Sequence, residues 1–232
     1  MELKGKTALV TGGAKRIGRA IVLSLAARGV KVAVHYRVSG VEAEKTAAEA
    51  KALGVESMVV RAELSDETQV ARIFKEVGER LGGPDILVNN AAIFERTPVL
   101  DVTTDQWNRT IDSNLTGPWL CSIHASRILA GREGAIISIA DSSAGDPYPN
   151  HLPYSISKAG VVAMTSGLAK ALGPKVRVGA LAFSYALPSA SAKAEEGVVF
   201  PAGQRITPNE VADAVVRMAE GSLGANGETV SL

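Results

Sequence analysis

Tyr154 and Lys158 bring a phenol and an ammonium group four residues apart in the stretch YSISK. On a helix, that spacing puts both side chains on one face. A free phenol titrates near ~10, and a neighbouring ammonium favours its ionised form, which suits proton exchange near neutral pH. A Tyr-x3-Lys pair is common by chance, so its meaning depends on the motifs around it.

A glycine-rich loop near the start of the chain, TGGAKRIG at residues 11–18, predicts a phosphate-binding turn. Gly12, Gly13 and Gly18 would let the backbone approach a ligand, and the helix that follows would supply amide donors at its amino terminus. The loop lacks the lysine and hydroxyl residue that end a P-loop, and it departs from the usual GxGxxG. Arg16 stands inside it where a glycine is expected.

The end of the second predicted strand, HYRVS at residues 35–39, indicates which dinucleotide this loop binds. An NAD site commonly places an acidic residue there for the ribose 2′-hydroxyl, whereas the first carboxylate here is Glu42. Arg37 and Ser39 stand in its place, and Arg16 faces them from the loop. Because guanidinium groups and hydroxyls form charge-assisted hydrogen bonds with phosphate, the sequence predicts NADP(H) rather than NAD.

Short β-branched runs alternate with longer amphipathic stretches along the whole chain. This pattern predicts an α/β fold, a single-domain Rossmann fold over residues 1–232 with a doubly wound parallel sheet of about seven strands. Helices are expected at about 66–81 and 104–129, among others. The connection at about 184–205 is rich in Ala, Ser and Gly, and a connection of this length is predicted to be a substrate loop.

Composition narrows the class of protein. A chain of 232 residues that is 46% hydrophobic can bury one core, and a net charge of +1 leaves no footprint for nucleic acid. The single cysteine, Cys121, excludes an internal disulfide framework. The histidines lack metal-ligand spacing, and no stretch reaches the roughly 18 apolar residues of a membrane span. We expect a cytoplasmic protein without a metal, membrane or nucleic-acid partner.

In combination and in this order, TGGAKRIG, NNAA after the fourth predicted strand, Asn114 and the Tyr154/Lys158 pair resemble the short-chain dehydrogenase/reductase family. The resemblance covers nearly the whole chain and implies a nicotinamide cofactor, with Tyr154 as proton donor and Lys158 on the nicotinamide ribose. It also implies that Asn114 holds a water linking Lys158 to solvent, and that the protein is a homotetramer. The implied cofactor-binding residues are Gly12, Arg16, Ile17, Gly18, Tyr36, Arg37, Ser39, Glu63, Leu64, Asn89, Ala91, Tyr154, Lys158 and Ser184.

The most informative departure from the wider family is Asp141, which stands thirteen residues before Tyr154 where a serine is usual. With the arginine in the glycine loop and the HYR strand end, Asp141 makes the chain resemble the pteridine reductases within the family. Phe94, in NNAAIF, matches the aromatic residue that stacks on the flat pterin in those enzymes. Phe94 is equally compatible with ordinary loop packing, and Asp141 with capping of the turn DSSAGD.

Charge decides which reduction suits Asp141. An ionised carboxylate about 4 Å from a developing oxyanion opposes it by roughly 4 kcal/mol at an effective dielectric of about 20, or about a thousandfold in rate. Protonating a C=N nitrogen instead makes a cation that the carboxylate favours. We therefore predict an NADPH-dependent reductase that transfers hydride to a C=N bond of a pterin or folate. The predicted catalytic residues are Asp141, Tyr154, Lys158 and Asn114, and the substrate-binding residues are Phe94, Asp141 and Tyr154.

Two alternatives stay open. The first is a ketone or 3-oxoacyl-thioester reductase in which Ser142, beside Asp141, takes the usual serine role. The second, from another class, is an NADP(H)-binding sensor or scaffold with little catalysis. It is suggested by Phe183 and Ser184, which replace the family's Pro-Gly turn after the sixth predicted strand, and by the short tail GETVSL.

Overall fold

The computed structural model describes residues 1–184 and 206–232, so the predicted substrate loop lies outside the described residues except for Ser184. Within the described part, seven parallel strands form one sheet, which confirms the predicted doubly wound Rossmann fold. The strands are β1 (Thr7–Val10), β2 (Lys31–Tyr36), β3 (Ser57–Arg61), β4 (Ile86–Asn89), β5 (Gly134–Ile139), β6 (Val176–Ala182) and β7 (Thr229–Ser231).

Helices cover both faces of the sheet, as the alternating pattern predicts. They are α1 (Arg16–Ala26), α2 (Gly40–Ala52), α3 (Glu67–Leu81), α4 (Thr104–Ile111), α5 (Gly117–Ile128), α6 (Leu152–Leu172) and α7 (Pro208–Glu220). The predicted helix at 104–129 is therefore two helices, joined by the π-helical turn Asp112–Thr116. No helix in the described part of the chain is both long and apolar enough to cross a bilayer.

The order of the strands fixes where a ligand can bind. The sheet runs β3-β2-β1-β4-β5-β6-β7, so the direction of winding reverses between β1 and β4. In doubly wound folds, this reversal opens a crevice beyond the carboxyl ends of the strands. Here the glycine loop follows β1, and NNAA begins at the end of β4, so both motifs meet at that crevice.

Two apolar layers hold the helices against the sheet. One contains buried side chains of α1, α2 and α7, including Ile21, Leu25 and Val215. The other contains buried side chains of α3, α5 and α6, including Ile73 and Leu168. The strands between them are buried on both faces, which explains why they read as continuous apolar runs rather than alternating ones.

Helix-capping residues set two of the boundaries that matter for the fold. Asp66 caps α3, because its side chain accepts hydrogen bonds from the amides of Thr68 and Gln69. Gly82 ends the same helix in the left-handed conformation at φ 94°, where glycine is favoured. The predicted boundaries at 66–81 agree with this helix to within one residue.

Candidate active site

One cleft of about 490 Å³ runs along the carboxyl ends of β1, β2, β4 and β5. It brings together most of the predicted site residues from six separate segments of the chain. Those that line it are Gly12, Arg16, Ile17, Gly18, Tyr36, Arg37, Ser39, Glu63, Leu64, Ala91, Phe94, Asp141, Tyr154 and Lys158. Asn89, Asn114 and Ser184 are not among the lining residues, and their side chains have other partners, described below.

The glycine loop is packed too closely for side chains at its two key glycines. An added Cβ at Gly18 would lie 2.1 Å from the carbonyl oxygen of Gly12, and one at Gly12 would lie 3.0 Å from Cα of Ala91. The loop therefore presents backbone to the cleft at the amino terminus of α1, which fits a dinucleotide phosphate. The residues present fit the nicotinamide dinucleotide that this fold commonly holds.

Arg16 lines this loop in a strained conformation. Its φ of 56° is in the left-handed region, where it is the one non-glycine residue within the described ranges. That conformation costs an L-residue roughly 1–2 kcal/mol, which explains why a glycine is expected there. The predicted role of the Arg16 guanidinium in binding the 2′-phosphate stays a prediction.

Arg37 and Glu63 lie together at the far end of the cleft. Nη1 of Arg37 lies 3.3 Å from Oε2 of Glu63, and both side chains are about half exposed. Arg37 and Ser39 both line this end of the cleft, where the sequence predicts the 2′-phosphate. A bound phosphate would share Arg37 with Glu63, so the carboxylate weakens the site it helps to shape.

His35 is a functional residue that the sequence reasoning missed. It is buried at the end of β2, where Nδ1 accepts a hydrogen bond from the Gly12 amide at 3.0 Å and Nε2 contacts the Ala62 carbonyl at 3.1 Å. Burial lowers the pKa of His35 from 6.5 to about 4. The neutral ring therefore ties the glycine loop to the end of β3. The available signal was a polar side chain within a strand whose neighbours are apolar.

Asp141 and Tyr154 form the central contact of the site. The Tyr154 hydroxyl donates a hydrogen bond to Oδ2 of Asp141 at 3.0 Å, and both residues are buried. The other oxygen, Oδ1, accepts from the Ser143 amide at 2.8 Å, so Asp141 also caps the turn Ser142–Ala144. The two interpretations of Asp141, cleft residue and turn cap, therefore hold together. Only Oδ2 is directed to the phenol, because Oδ1 is bonded to the Ser143 amide.

The surroundings of Tyr154 keep its phenol protonated. Burial raises the pKa of Tyr154 well above its usual value of 10, and the Asp141 charge and hydrogen bond raise it further. This is the opposite of the shift predicted from Lys158 alone, because burial and the Asp141 carboxylate both disfavour the phenolate. The phenol is a proton donor here rather than a base.

Lys158 is held between α6 and the sheet. Its Nζ donates to the Ile139 carbonyl at 2.7 Å, at the end of β5, and lies 5.5 Å from the centre of the Tyr154 ring. Burial lowers the pKa of Lys158 from 10.5 to about 8, although the charge of Asp141 acts in the opposite direction. The spacing of four residues on α6 places both side chains in one cleft, as predicted.

The side chains of two predicted site residues, Asn114 and Asn89, bond to neighbouring elements, and neither residue lines the cleft. The predicted water held by Asn114 stays a prediction. The Asn114 amide bonds the backbone of Ile93 in both directions, at 2.8 and 2.9 Å, and so fixes the loop after β4. Asn89 points into the sheet, where its Nδ2 donates to Ser122 at 2.9 Å. Side chains alternate along a strand, so the next residue, Asn90, lines the cleft instead. The predicted place of Asn89 along the cofactor stays a prediction.

Phe94 has both of the environments expected for it. It lines the cleft, and its edge contacts Tyr154 with ring centres 4.8 Å apart. One of its faces is covered by the buried His151, whose ring lies parallel at 4.1 Å. A flat ligand could therefore stack only on the opposite face.

Ser142 is turned to partners other than Tyr154. Its Oγ lies 2.7 Å from Oγ of Ser184 and 3.2 Å from the hydroxyl of Tyr148. The expected use of Ser142 as a substitute for the family serine has no direct contact to support it. The expected backbone contact of Ser184 with a cofactor stays a prediction, because the structure shows only its side-chain hydrogen bond.

Comparisons with known proteins agree with this geometry. The short chain dehydrogenase family matches residues 6–197. A 3-oxoacyl-[acyl-carrier-protein] reductase of Staphylococcus aureus is 37% identical over 171 residues, 73% of this chain and 70% of that protein. Its counterpart in Synechocystis is 37% identical over 182 residues, 78% of this chain and 74% of that protein. A short chain dehydrogenase from Burkholderia cenocepacia, solved in complex with NADP, superimposes with a TM-score of 0.89 at 32% identity, covering 100% of this chain and 98% of that one.

These comparisons decide some predictions and leave others open. They confirm the family and the NADP(H) cofactor, and they correct the sensor or scaffold alternative, because the relatives are reductases. The names of the relatives agree with the 3-oxoacyl-thioester alternative better than with pterin reduction. None of these three relatives is named as a pteridine reductase, so they do not support a particular resemblance to that group.

Proposed function

We propose that this protein reduces a C=N bond in a flat heterocycle such as a pterin or folate. The chain belongs to the short chain dehydrogenase family and is an NADP-dependent oxidoreductase. The observation that carries the proposal is the hydrogen bond from the Tyr154 hydroxyl to the Asp141 carboxylate at 3.0 Å. A serine at position 141 would leave the tyrosine beside a neutral hydroxyl. The carboxylate changes which charge the site stabilises.

The electrostatic argument concerns the proton that Tyr154 gives up. Reducing a ketone leaves negative charge on the oxygen or on the phenol, and Asp141 opposes both at hydrogen-bond distance. Protonating a ring nitrogen before reduction creates positive charge next to Asp141, which the same carboxylate stabilises. The raised pKa of Tyr154 has the same cause in part, because Asp141 disfavours the phenolate.

Each residue of the site then has a role in the proposal. NADPH supplies the hydride when bound. Asp141 holds the protonated edge of the substrate at Oδ2. Tyr154 relays a proton to the ring nitrogen, taking up a second proton from solvent as it gives up its own, so that no phenolate is left beside Asp141. Lys158, anchored on the Ile139 carbonyl, places its positive charge beside the tyrosine and faces the cleft. Phe94 supplies an apolar wall for a flat ring on the face that His151 leaves free.

A second candidate is reduction of a 3-oxoacyl thioester, which the names of the relatives favour. In this chain, the candidate requires another group to replace the family serine. Ser142 is the nearest in sequence, but its hydroxyl is engaged by Tyr148 and Ser184. The relatives and the geometry therefore favour different substrates, and an assay must decide between them.

The deciding assay follows NADPH oxidation by the purified protein with three substrates: dihydrobiopterin, dihydrofolate and an acetoacetyl thioester. The proposal expects kcat/KM for one of the first two to exceed that for the thioester. Turnover of the thioester alone would establish the second candidate. A Tyr154→Phe variant, which loses the proton donor but keeps the ring, is the control for background oxidation.

The homotetramer also stays a proposal. Trp107 on α4 and Trp119 on α5 are 39% and 48% exposed, so both helices carry large apolar side chains on the surface of one chain. An interface between copies would cover them. Light scattering of the purified protein gives the assembly directly, and a monomeric mass would contradict the proposal. The cytoplasmic location stays a prediction from the sequence.

A further inference from the structure

Asp141 is approached by two phenols, and the proposed mechanism uses only one of them. The second is Tyr148, which lies in the loop between the turn Ser142–Ala144 and α6. It is half-buried and lines the same cleft as Asp141, Tyr154 and Phe94. Its ring stands nearly perpendicular to that of Phe94, at an interplanar angle of 85° with ring centres 6.4 Å apart.

The position of Tyr148 is built by its neighbours on both sides. Its amide donates to Oγ of Ser155 on α6 at 3.1 Å, which fixes the backbone. Its hydroxyl lies 3.2 Å from Oγ of Ser142, which in turn lies 2.7 Å from Oγ of Ser184. Ser142 thus holds the second phenol and joins it to the end of β6.

The phenol of Tyr148 is suited to hydrogen bonding rather than to ionisation. Burial raises the pKa of Tyr148 above its usual value, and the nearby charge of Asp141 raises it further. Tyr148 therefore carries its proton throughout the neutral range. A protonated phenol next to a carboxylate presents one donor and one acceptor to a ligand.

We propose that Tyr148 is a substrate-positioning residue whose hydroxyl donates a hydrogen bond to an acceptor atom beside the bond that is reduced. Oδ2 of Asp141 then takes the neighbouring N–H of the substrate. The pair matches a planar edge with an acceptor next to an N–H group, as in a cyclic amide or amidine. This inference rests on the proposed function and deepens it, because it names the edge by which the substrate is recognised.

The test is the variant Tyr148→Phe, which removes the hydroxyl and keeps the ring against Phe94. Its kinetics are measured with whichever of dihydrobiopterin, dihydrofolate and acetoacetyl thioester the wild-type protein reduces best. Loss of one hydrogen bond to the substrate should raise KM by about five- to tenfold. The fall in kcat should be smaller than the rise in KM, because Tyr154 still supplies the proton.

Two further variants make the test specific. Ser142→Ala leaves the Tyr148 phenol in place without its support, and should raise KM by about two- to threefold. Ser126→Ala is the matched serine control, since the Ser126 hydroxyl donates to the Ser122 carbonyl of its own helix and Ser126 does not line the cleft. Its KM should equal that of the wild type. Thermal melting of each variant within about 2 °C of the wild type shows that the fold is retained.

The outcomes separate this inference from the proposed function. A Tyr148→Phe variant with an unchanged KM overturns the inference alone. An equal loss in kcat and kcat/KM also overturns it, because that result makes the phenol a catalytic group. Reduction of the thioester alone overturns the proposed function, and the KM of Tyr148→Phe for that carbonyl acceptor still decides whether Tyr148 binds it. A wild-type protein that reduces none of the substrates overturns both.

Discussion

The Tyr154 hydroxyl donates its hydrogen bond to the Asp141 carboxylate, 3.0 Å away and buried with it. In the wider family, which this chain resembles over nearly its whole length, a serine usually stands at the position of Asp141. The substitution leaves the fold and the cofactor cleft intact and changes the charge at the atom that gives the proton. Substrate choice, rather than cofactor binding, is where its effect should be measured.

Arg16 should show a conflict between stability and binding. Arg16→Gly relieves the strain at φ 56°, whereas Arg16→Ala keeps it, and both lose the guanidinium. We expect the free energy of unfolding of Arg16→Gly to be about 1 kcal/mol higher than that of Arg16→Ala. Elsewhere an alanine variant is usually more stable than the glycine variant at the same position. Urea unfolding measures this difference. Both variants should bind NADPH about tenfold more weakly in a fluorescence titration, and undiminished affinity would refute the phosphate role of Arg16.

Arg37 should distinguish the two nicotinamide cofactors. Arg37→Ala is expected to weaken NADPH binding by roughly 10- to 100-fold, since hydrogen bonds to charged groups contribute about 1.5–3 kcal/mol. NADH lacks the 2′-phosphate, so its dissociation constant should change by less than about threefold. Calorimetric titration of both cofactors gives the comparison, and equal losses would show that Arg37 does not bind the phosphate.

Glu63 offers the reverse experiment on the same contact. Glu63→Gln removes the carboxylate that shares Arg37, and should tighten NADPH binding. Because the pair is half exposed, the gain should be no more than about fivefold. NADH is the control, with little change expected.

His35 should make the stability of the protein depend on pH. Its folded pKa of about 4 lies below the unfolded value of 6.5, so the unfolded chain binds the extra proton between these values. Stability is therefore lost as pH falls through this window, by about 2 kcal/mol between pH 7 and pH 5. Urea unfolding at both pH values measures it. Asparagine does not titrate, so the fall in stability between pH 7 and pH 5 should be smaller in His35→Asn than in the wild type by about 2 kcal/mol. An equal fall in the variant and the wild type would rule out His35 as the cause.

The sequence predicts the parts of the site that depend on regular spacing. Tyr154 and Lys158 share a cleft because they lie one helical turn apart on α6. The glycine loop and NNAA meet because parallel strands end at the same edge of a sheet, and strand order places β1 beside β4. The closeness of Asp141 to Tyr154 could be predicted only through the family resemblance, because it depends on how β5 and α6 are joined.

Features that depend on irregular backbone could not be read from the sequence. The π-helical turn that carries Asn114 has no distinct periodic pattern, so the segment reads as one continuous helix. Whether the side chain of Asn89 or that of Asn90 faces the cleft depends on the exact register of β4. A shift of one residue would exchange the sides to which these two side chains point. Tyr148 lies in a loop of short turns, where no spacing rule brings its hydroxyl to Ser142.

The most direct test of the central claim is the substrate preference of Asp141→Ser, with Asp141→Asn as the variant that removes the charge and keeps the size. The measured quantity is kcat/KM for the better pterin or folate substrate divided by kcat/KM for an acetoacetyl thioester. The account predicts that this ratio falls by about 100-fold or more in both variants, because up to about 4 kcal/mol of unfavourable charge is removed from carbonyl reduction. A ratio that stays the same in both variants would contradict it.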